Sequence, residues 1–435
     1  MRRVGASHVA PRTSHFMKNP ARIFFVVLLV IGIAGMAATG SALYVRLIYM
    51  SIIMLALSFV WARFALDGIR LERRARSLRA SVGDIFEEIF EIKNDARHTR
   101  LYVEVVNKST IPQAPGLRIL TWVLGKQSRT YLTRTWLTRR GAFSLGPTTI
   151  ASGDPFGLFA VKQTFPTADR LLVLPFIVPI EGFYSPPGLL PGGKAIRRKA
   201  HEVTPHASGL REYVPGDPLK RIHWPSAARR DRLMVKEFEQ DPQAEIWIFL
   251  DAQRTAQAEL PAAREEGNVW QEWIFSRRPE LTLPPSTIEY GVSIAASLAH
   301  YFIAQRRAVG FVTSGPLYTV IPAERSERQE SKVLETLAFV SGEGELPLTS
   351  LVDLQAPQMP FGSSALLITP STSDNILLAA ELLQRRNLHP IVILLIAESF
   401  GGQPEGALAN KLAARSIPVL RVTNGENLSK VLSSF

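Results

Sequence analysis

The sequence predicts a multidomain protein with three parts: an N-terminal transmembrane helical hairpin, a small all-β (sandwich-like) domain, and a C-terminal α/β domain on a mainly parallel sheet. Three observations predict it. Two long apolar runs stand near the start of the chain, short strand-like runs broken by Gly, Pro and Asn follow, and after Ala244 apolar strands alternate with amphipathic helices. A chain of 435 residues is long enough for more than one folded unit.

From Ile23 to Leu43 no residue is charged, and a helix of that length matches a hydrocarbon core of about 30 Å. A second run, Leu47–Trp61, follows a tight connection at Thr39, Gly40 and Ser41. Tyr44, Trp61 and Phe64 suit its interfaces, and Arg46 and Arg63 can snorkel from its ends. Residues 23–66 are therefore expected to form a two-helix hairpin. A cleaved signal peptide is the competing reading, and it is disfavoured by the length of the first run and the presence of a second. Gly32, Gly35, Ala38 and Thr39 read as ordinary membrane-helix residues, with close helix approach as the alternative. Residues 1–22 are basic, through Arg2, Arg3, Arg12, Lys18 and Arg22. Arg70, Arg73, Arg74, Arg76 and Arg79 make 67–80 a basic juxtamembrane segment expected against anionic headgroups. Basic residues on both flanks predict an inner or plasma membrane location with both termini cytoplasmic.

Residues 81–180 carry the β-type runs Ile85–Ile92, Leu101–Val106, Leu117–Trp122, Arg129–Leu137 and Leu171–Leu174, with turns at Arg140-Gly141 and Asp154-Pro-Phe-Gly157. Residues 181–243 form a bridge of Pro/Gly-rich and then dense polar sequence. In residues 244–435, strands are predicted at Ile246–Leu250, Val309–Thr313, Ala365–Thr369, Ile391–Ile396 and Val419–Val422. The intervening helices fall at Ser286–Arg306, Glu330–Val340, Asn375–Arg385 and Leu408–Ala414. Glu259–Pro284 is an irregular insertion. The formal charge of +12 suits nucleic acid, an anionic membrane face or an acidic partner, while the absence of cysteine excludes disulfides and thiolate metal sites and fits a reducing compartment.

Candidate chemistry lies in two places. Asp251 ends the first strand of the α/β domain, and Gln253 and Thr255 follow at the spacing of a hard-cation loop. The alternative is that Asp251 caps a loop or helix start. This domain resembles a von Willebrand factor A domain, whose metal-ion-dependent adhesion site reads Asp-x-Ser-x-Ser. Here Gln253 and Thr255 replace the serines, and the further aspartate of the family would fall near Pro370 and Ser371, where there is none; Ser373 and Asp374 lie just beyond. The resemblance implies Mg at a degenerate site.

The second place is the bridge, Arg211-Glu-Tyr-Val-Pro-Gly-Asp-Pro-Leu-Lys-Arg-Ile-His-Trp224, with Ser226 to Arg229 behind it. It resembles the signature of the bacterial domain-of-unknown-function family number 58: Arg211, Tyr213, Gly216, Asp217, Lys220, Ile222 and Trp224 fall on its pattern. Arg140-Gly141, Leu145-Gly-Pro147 and Asp154–Phe159 also look like that family, and the resemblance covers nearly the whole chain. Two accounts of the signature stand. One is a rigid joint, with Arg211 reaching Asp217 across a turn and Ile222 and Trp224 on one strand edge. The other is a docking surface in which Arg211, Arg221, Arg229 and Arg230 meet an acidic partner.

No Walker motif, His-Glu-x-x-His or nucleophile elbow is present, so no enzyme is expected. His201 and His206 read as loop residues and His223 as part of a packed edge. The alternative is a hydrolase or other enzyme with its site at the junction of the β and α/β domains, lined by Arg211, Asp217 and His223. Nucleic acid is not an expected partner, because the charge is mixed and no binding module is visible. The resemblance implies a noncatalytic membrane-anchored scaffold or adaptor. Its implied partners are a MoxR-type AAA ATPase, transglutaminase-like membrane proteins and membrane lipids.

Overall fold

In the computed structural model, the described residues are 2–3, 20–112, 117–166, 169–184, 207–213, 222–238, 244–261, 281–404 and 406–435. They form a mixed α/β protein of two compact units, Met1–Phe176 and Ile177–Phe435.

The first unit opens with α1 (Pro20–Thr39) and α2 (Ala42–Phe64). Helix α2 is long and apolar enough to cross a membrane, and Ile23–Thr39 is a shorter apolar stretch. Ser41 caps α2. Gly35 has a packing role here: a Cβ at that position would run into the Tyr44 ring of α2, and one at Gly32 would meet Ile48. Glycine lets the two helices approach, which the sequence left as the lesser alternative.

Strands β2 (Ile69–Ala75), β4 (Ile85–Asn94) and β7 (Ser128–Trp136) pair antiparallel, with β1 (Arg2–Arg3) on the outer edge of β2. A second antiparallel sheet has the order β10 (Ala160–Phe165), β9 (Thr148–Gly153), β5 (Arg100–Asn107), β6 (Leu117–Val123). Strand β11 (Arg170–Leu174) joins β3 (Arg79–Ser81) and β8 (Gly141–Ser144) in a small third sheet. The first two sheets share one core: Leu71, Phe90 and Ile92 meet Val103, Val105, Val123 and Ile150. Along β4 burial alternates strictly, as in a strand with one face on a core.

Strand β2 runs through the segment expected to lie basic-side against lipid. Arg73 is buried: its Nε donates to Glu88 Oε1 at 2.8 Å, and another of its nitrogens donates to the carbonyl of Leu145. Burial pushes the Glu88 carboxyl up, against the pull of Arg73. Arg74 pairs with Glu72 and Glu91, and Arg70 with Asp95. The physical reason for the difference is period 2: Ile69, Leu71 and Arg73 share the inward face of one strand.

The second unit holds a six-stranded sheet in the order β16 (Tyr318–Glu324), β15 (Val309–Ser314), β14 (Ile246–Leu250), β17 (Ser364–Thr369), β18 (His389–Leu395), β19 (Val419–Val422). All pairs are parallel except β15–β16. Strands β14, β15 and β17 are buried at every residue, because helices cover both faces. Helix α4 (Thr287–Ala304) lies on one face, where a Cβ at Gly291 would touch Leu250, Ile368 and Leu395. On the other face α6 (Leu348–Gln355), α7 (Asn375–Arg385) and α8 (Leu408–Ala414) pack over Trp247, Phe249, Leu367 and Val392. Helix α5 (Glu327–Phe339) sends the buried Gln329 to the carbonyls of Val309 and Pro322, closing the register shift between β15 and β16. The last helix, α9 (Leu428–Ser433), holds the chain near Pro179 and Glu181 through Ser429 and Ser433.

Candidate functional site

The strand order reverses between β15 and β17 on either side of β14, which makes the carboxyl end of β14 the switch point of the sheet, where ligands gather in open α/β folds. Asp251 stands there, 2 % exposed. Its Oδ1 accepts from the Gln253 N–H at 3.0 Å, and its Oδ2 accepts from the Thr369 hydroxyl at 2.6 Å. Thr369 in turn accepts from the Ser371 N–H. The loop is tied down further: Arg254 N–H donates to Gly344 O, Gly344 N–H to Ala252 O, and Gln257 Nε2 to Asp251 O. Gly344 admits no larger residue, because a Cβ there would press on the backbone of Ser314 and Ala252.

This geometry permits a test of the expected divalent cation. Gln253 is half-buried and Thr255 exposed, and among the described residues no group of three or more His, Cys, Asp or Glu converges. Both carboxylate oxygens of Asp251 already accept protein donors. Burial pushes its carboxyl above the ordinary carboxylate value, against the opposing hydrogen bonds from Thr369 and Gln253. A hard dication needs several ionised or carbonyl oxygens free to turn toward it. The donor set does not fit one.

The signature forms a separate small assembly. Strands β12 (Ala207–Glu212) and β13 (Met234–Phe238) pair antiparallel and leave α3 (Trp224–Arg230) between them in sequence. Ile222 bridges to Val235, Tyr213 N–H donates to Leu233 O, and His223 N–H donates to Met234 O. Ile222, Ala227 and Val235 form a miniature core with Tyr213 packed on it. Trp224 departs from the expected strand edge. With Pro225 behind it, it starts α3 and is 64 % exposed. Proline at the first helical turn fixes the backbone there, and the helix direction then turns Trp224 outward. Arg229 and Arg230 are exposed in the last turn of α3, where cations suit the helix dipole.

His223 sits at the N-cap of α3 with Nδ1 2.8 Å from Ser226 Oγ, a contact the sequence reading missed. The i, i+3 spacing at a helix start was the available signal. Glu212 pairs with Arg232 at 2.7 Å. Gly216, Asp217, Lys220, Arg221, His201 and His206 lie outside the described residues, as does the side chain of Arg211, so the expected Arg211–Asp217 contact falls there too.

The fold and this assembly define a class: a multidomain α/β protein that opens with apolar helices and carries its signature as a two-stranded ribbon before a mainly parallel sheet. Within that class, the chain is similar to the family described as "Protein of unknown function DUF58". Its model matches residues 209–262, the stretch that holds the signature ribbon and the first strand of the sheet. The chain is 22 % identical over 301 residues to the uncharacterized protein YeaD of Bacillus subtilis (strain 168), a match spanning 67 % of this chain and 66 % of that protein. The crystal structure of the conserved hypothetical protein BatB from Bacteroides thetaiotaomicron is similar at 12 % identity, covering 44 % of this chain and 96 % of that one with a TM-score of 0.29. Proximal thread matrix protein 1 from the mussel byssus matches at 12 % identity, over 44 % of this chain and 46 % of its own, with a TM-score of 0.26.

Proposed function

We propose that this protein is a membrane-anchored, noncatalytic scaffold that binds protein partners through its signature ribbon and works with a MoxR-type AAA ATPase and transglutaminase-like membrane proteins. Helices α1 and α2 cross the inner or plasma membrane as a hairpin with both termini cytoplasmic, and the sheet unit serves as a von Willebrand factor A-like binding module. One observation carries the reading. The ribbon turns Tyr213 and Ile222 inward to hold itself together, and presents Trp224, Arg229 and Arg230 on the outside of α3. An exposed Trp at one end of a short helix and two exposed arginines at the other supply the residue types of a binding hot spot for an acidic surface.

Affinity capture with detergent-solubilised full-length protein tests it. The wild type is expected to retain a cytosolic AAA ATPase. Trp224→Ala, or Arg229→Glu with Arg230→Glu, is expected to weaken capture at least tenfold at unchanged thermal stability, on the scale of a hot-spot loss of about 1.4 kcal/mol or more. Charge reversal at Arg211 or Arg221 is the companion experiment. Normal capture by all these variants removes the docking role.

A hydrolase reading draws on the His223–Ser226 contact, since a histidine nitrogen at 2.8 Å from a serine hydroxyl is the geometry of an activated nucleophile. It predicts covalent labelling by a fluorophosphonate that disappears in Ser226→Ala. The scaffold reading predicts no labelling in either protein.

A further inference from the structure

Several turns of the β unit gather at the foot of α2, and all of them belong to the same compact unit as the helices. Asp95 N–H donates to Gly68 O at 2.7 Å, and Arg100 donates to Asp67 O at 2.8 Å, which places the β4–β5 turn beside the end of α2. Asn94 Nδ2 reaches the carbonyls of Val123 and Leu124, and Lys126 N–H donates to Ala96 O, so the β6–β7 turn lies alongside. Ser152 donates to the carbonyl of Tyr102, bringing the end of β9 to the same place. The β9–β10 turn reaches higher on the helix, where Phe159 stacks edge-on against Phe59 with centroids 5.6 Å apart.

The side chains exposed at this end are apolar and aromatic: Leu101, Tyr102, Trp122, Leu124 and Phe156. Phe156, 54 % exposed, sits on a turn fixed from inside, since the buried Asp154 accepts from the N–H groups of Phe156 and Phe159. Around these residues are cations: Arg97 is exposed, and the Arg129 guanidinium lies 4.5 Å over the Trp122 ring. The nearby carboxylates Asp95 and Glu104 are already paired, with Arg70 and Arg118. Aromatic and aliphatic groups ringed by cations make up the composition of a membrane interface.

We propose that this end of the β unit seats in the lipid headgroup layer beside α2, with Phe156 as its deepest point and Tyr102, Trp122 and Leu124 around it. The occupant is the bilayer because the patch is continuous with α2 through the Phe159–Phe59 contact. Phe59 precedes Arg63, the helix's terminal cation, by four residues, which places the turn about 6 Å deeper than the Arg63 backbone. The inference rests on the spanning reading of α2 and adds a second, peripheral attachment that sets how the β unit stands on the membrane.

The chain has no cysteine, so single labels are unambiguous. Nitroxides are placed one at a time in the full-length protein at Phe156→Cys, at Leu101→Cys as a second site, at Ile53→Cys on α2, and at Lys108→Cys beyond the other end of β5. Collisions with oxygen and with a water-soluble nickel chelate are read in phosphatidylethanolamine/phosphatidylglycerol vesicles. The expected result is loss of nickel relaxation at 53 and 156, an intermediate loss at 101, and full relaxation at 108. Nickel access at 156 equal to that at 108, with 53 protected, overturns the seat and leaves the spanning helix standing. Exclusion of both reagents at 156 also overturns it, since protein rather than lipid then covers the turn. Free nickel access at 53 removes both readings together.

Discussion

Replacing Arg73 by Met is expected to destabilise the β unit by about 3–5 kcal/mol, the cost of leaving a buried carboxyl without its partner. Glu88 is enclosed with Arg73 between β2 and β4, and Arg73 is the cation that offsets its charge. The Leu145 carbonyl loses a donor as well. Combining Arg73→Met with Glu88→Leu should recover most of the loss, because an apolar pair of similar volume removes the desolvation cost with the charges. Thermal unfolding of the detergent-solubilised protein, followed with a β-unit probe such as the Trp122–Arg129 contact, separates the outcomes. A Met variant as stable as the wild type would mean that water reaches Glu88, and the buried pair would then be no feature of the fold.

The second large effect is expected at Asp251, and it has two parts. Asp251→Ala removes the acceptor for Gln253 N–H and for the Thr369 hydroxyl, which are worth about 1–3 kcal/mol each when left buried and unmet. Unfolding of the sheet unit should move accordingly, and magnesium should change neither protein's stability. Asp251→Asn has a distinct signature in pH. Burial raises the folded-state value above the ordinary 3.8, so the folded protein holds its proton more tightly than the unfolded chain does. That contribution is fully present below the unfolded value and is lost as pH rises through the folded one. The asparagine variant cannot ionise and escapes the loss. Its stability relative to wild type should therefore improve as pH climbs from 3.8. A flat difference across that range, or magnesium stabilisation of the wild type alone, would contradict the structural role assigned to Asp251.

Much of the fold was legible because burial imposes a period. The runs at Val309–Thr313 and Ile246–Leu250 read as strands because both faces are covered, which leaves them almost wholly apolar. The helix at Thr287–Ala304 showed in its repeat, and the start of α2 at Ala42 in the turn before it. Strand β2 was not legible. Arginine is rarely buried, so three arginines in a strand of 7 residues spoke for a surface, and only the partner fifteen residues later reverses that. The antiparallel strand β16 was missed for a related reason: as an edge strand it is only partly covered, and its pattern is weak. At the candidate sites, the sequence located Asp251 at a strand end. Whether its oxygens are free depends on Thr369, more than a hundred residues away, and no local spacing contains that. Trp224 was misassigned because two polar-apolar alternations suggested a strand, while Pro225 already marked a helix start.

The arginines of β2 have a consequence for biogenesis. Glu88, Glu91 and Asp95 all lie later in the chain than Arg70, Arg73 and Arg74, with which they pair. While a ribosome is still delivering the polypeptide, those guanidinium groups leave the exit tunnel before Glu88, Glu91 and Asp95 exist, and Glu72 is the partner made alongside them. In a chain that inserts as it is made, this brief excess of positive charge would be available to retain the following segment on the side of synthesis. Folding of the sandwich would then extinguish it, so the same three residues would act first as a topogenic signal and afterwards as structural cross-braces.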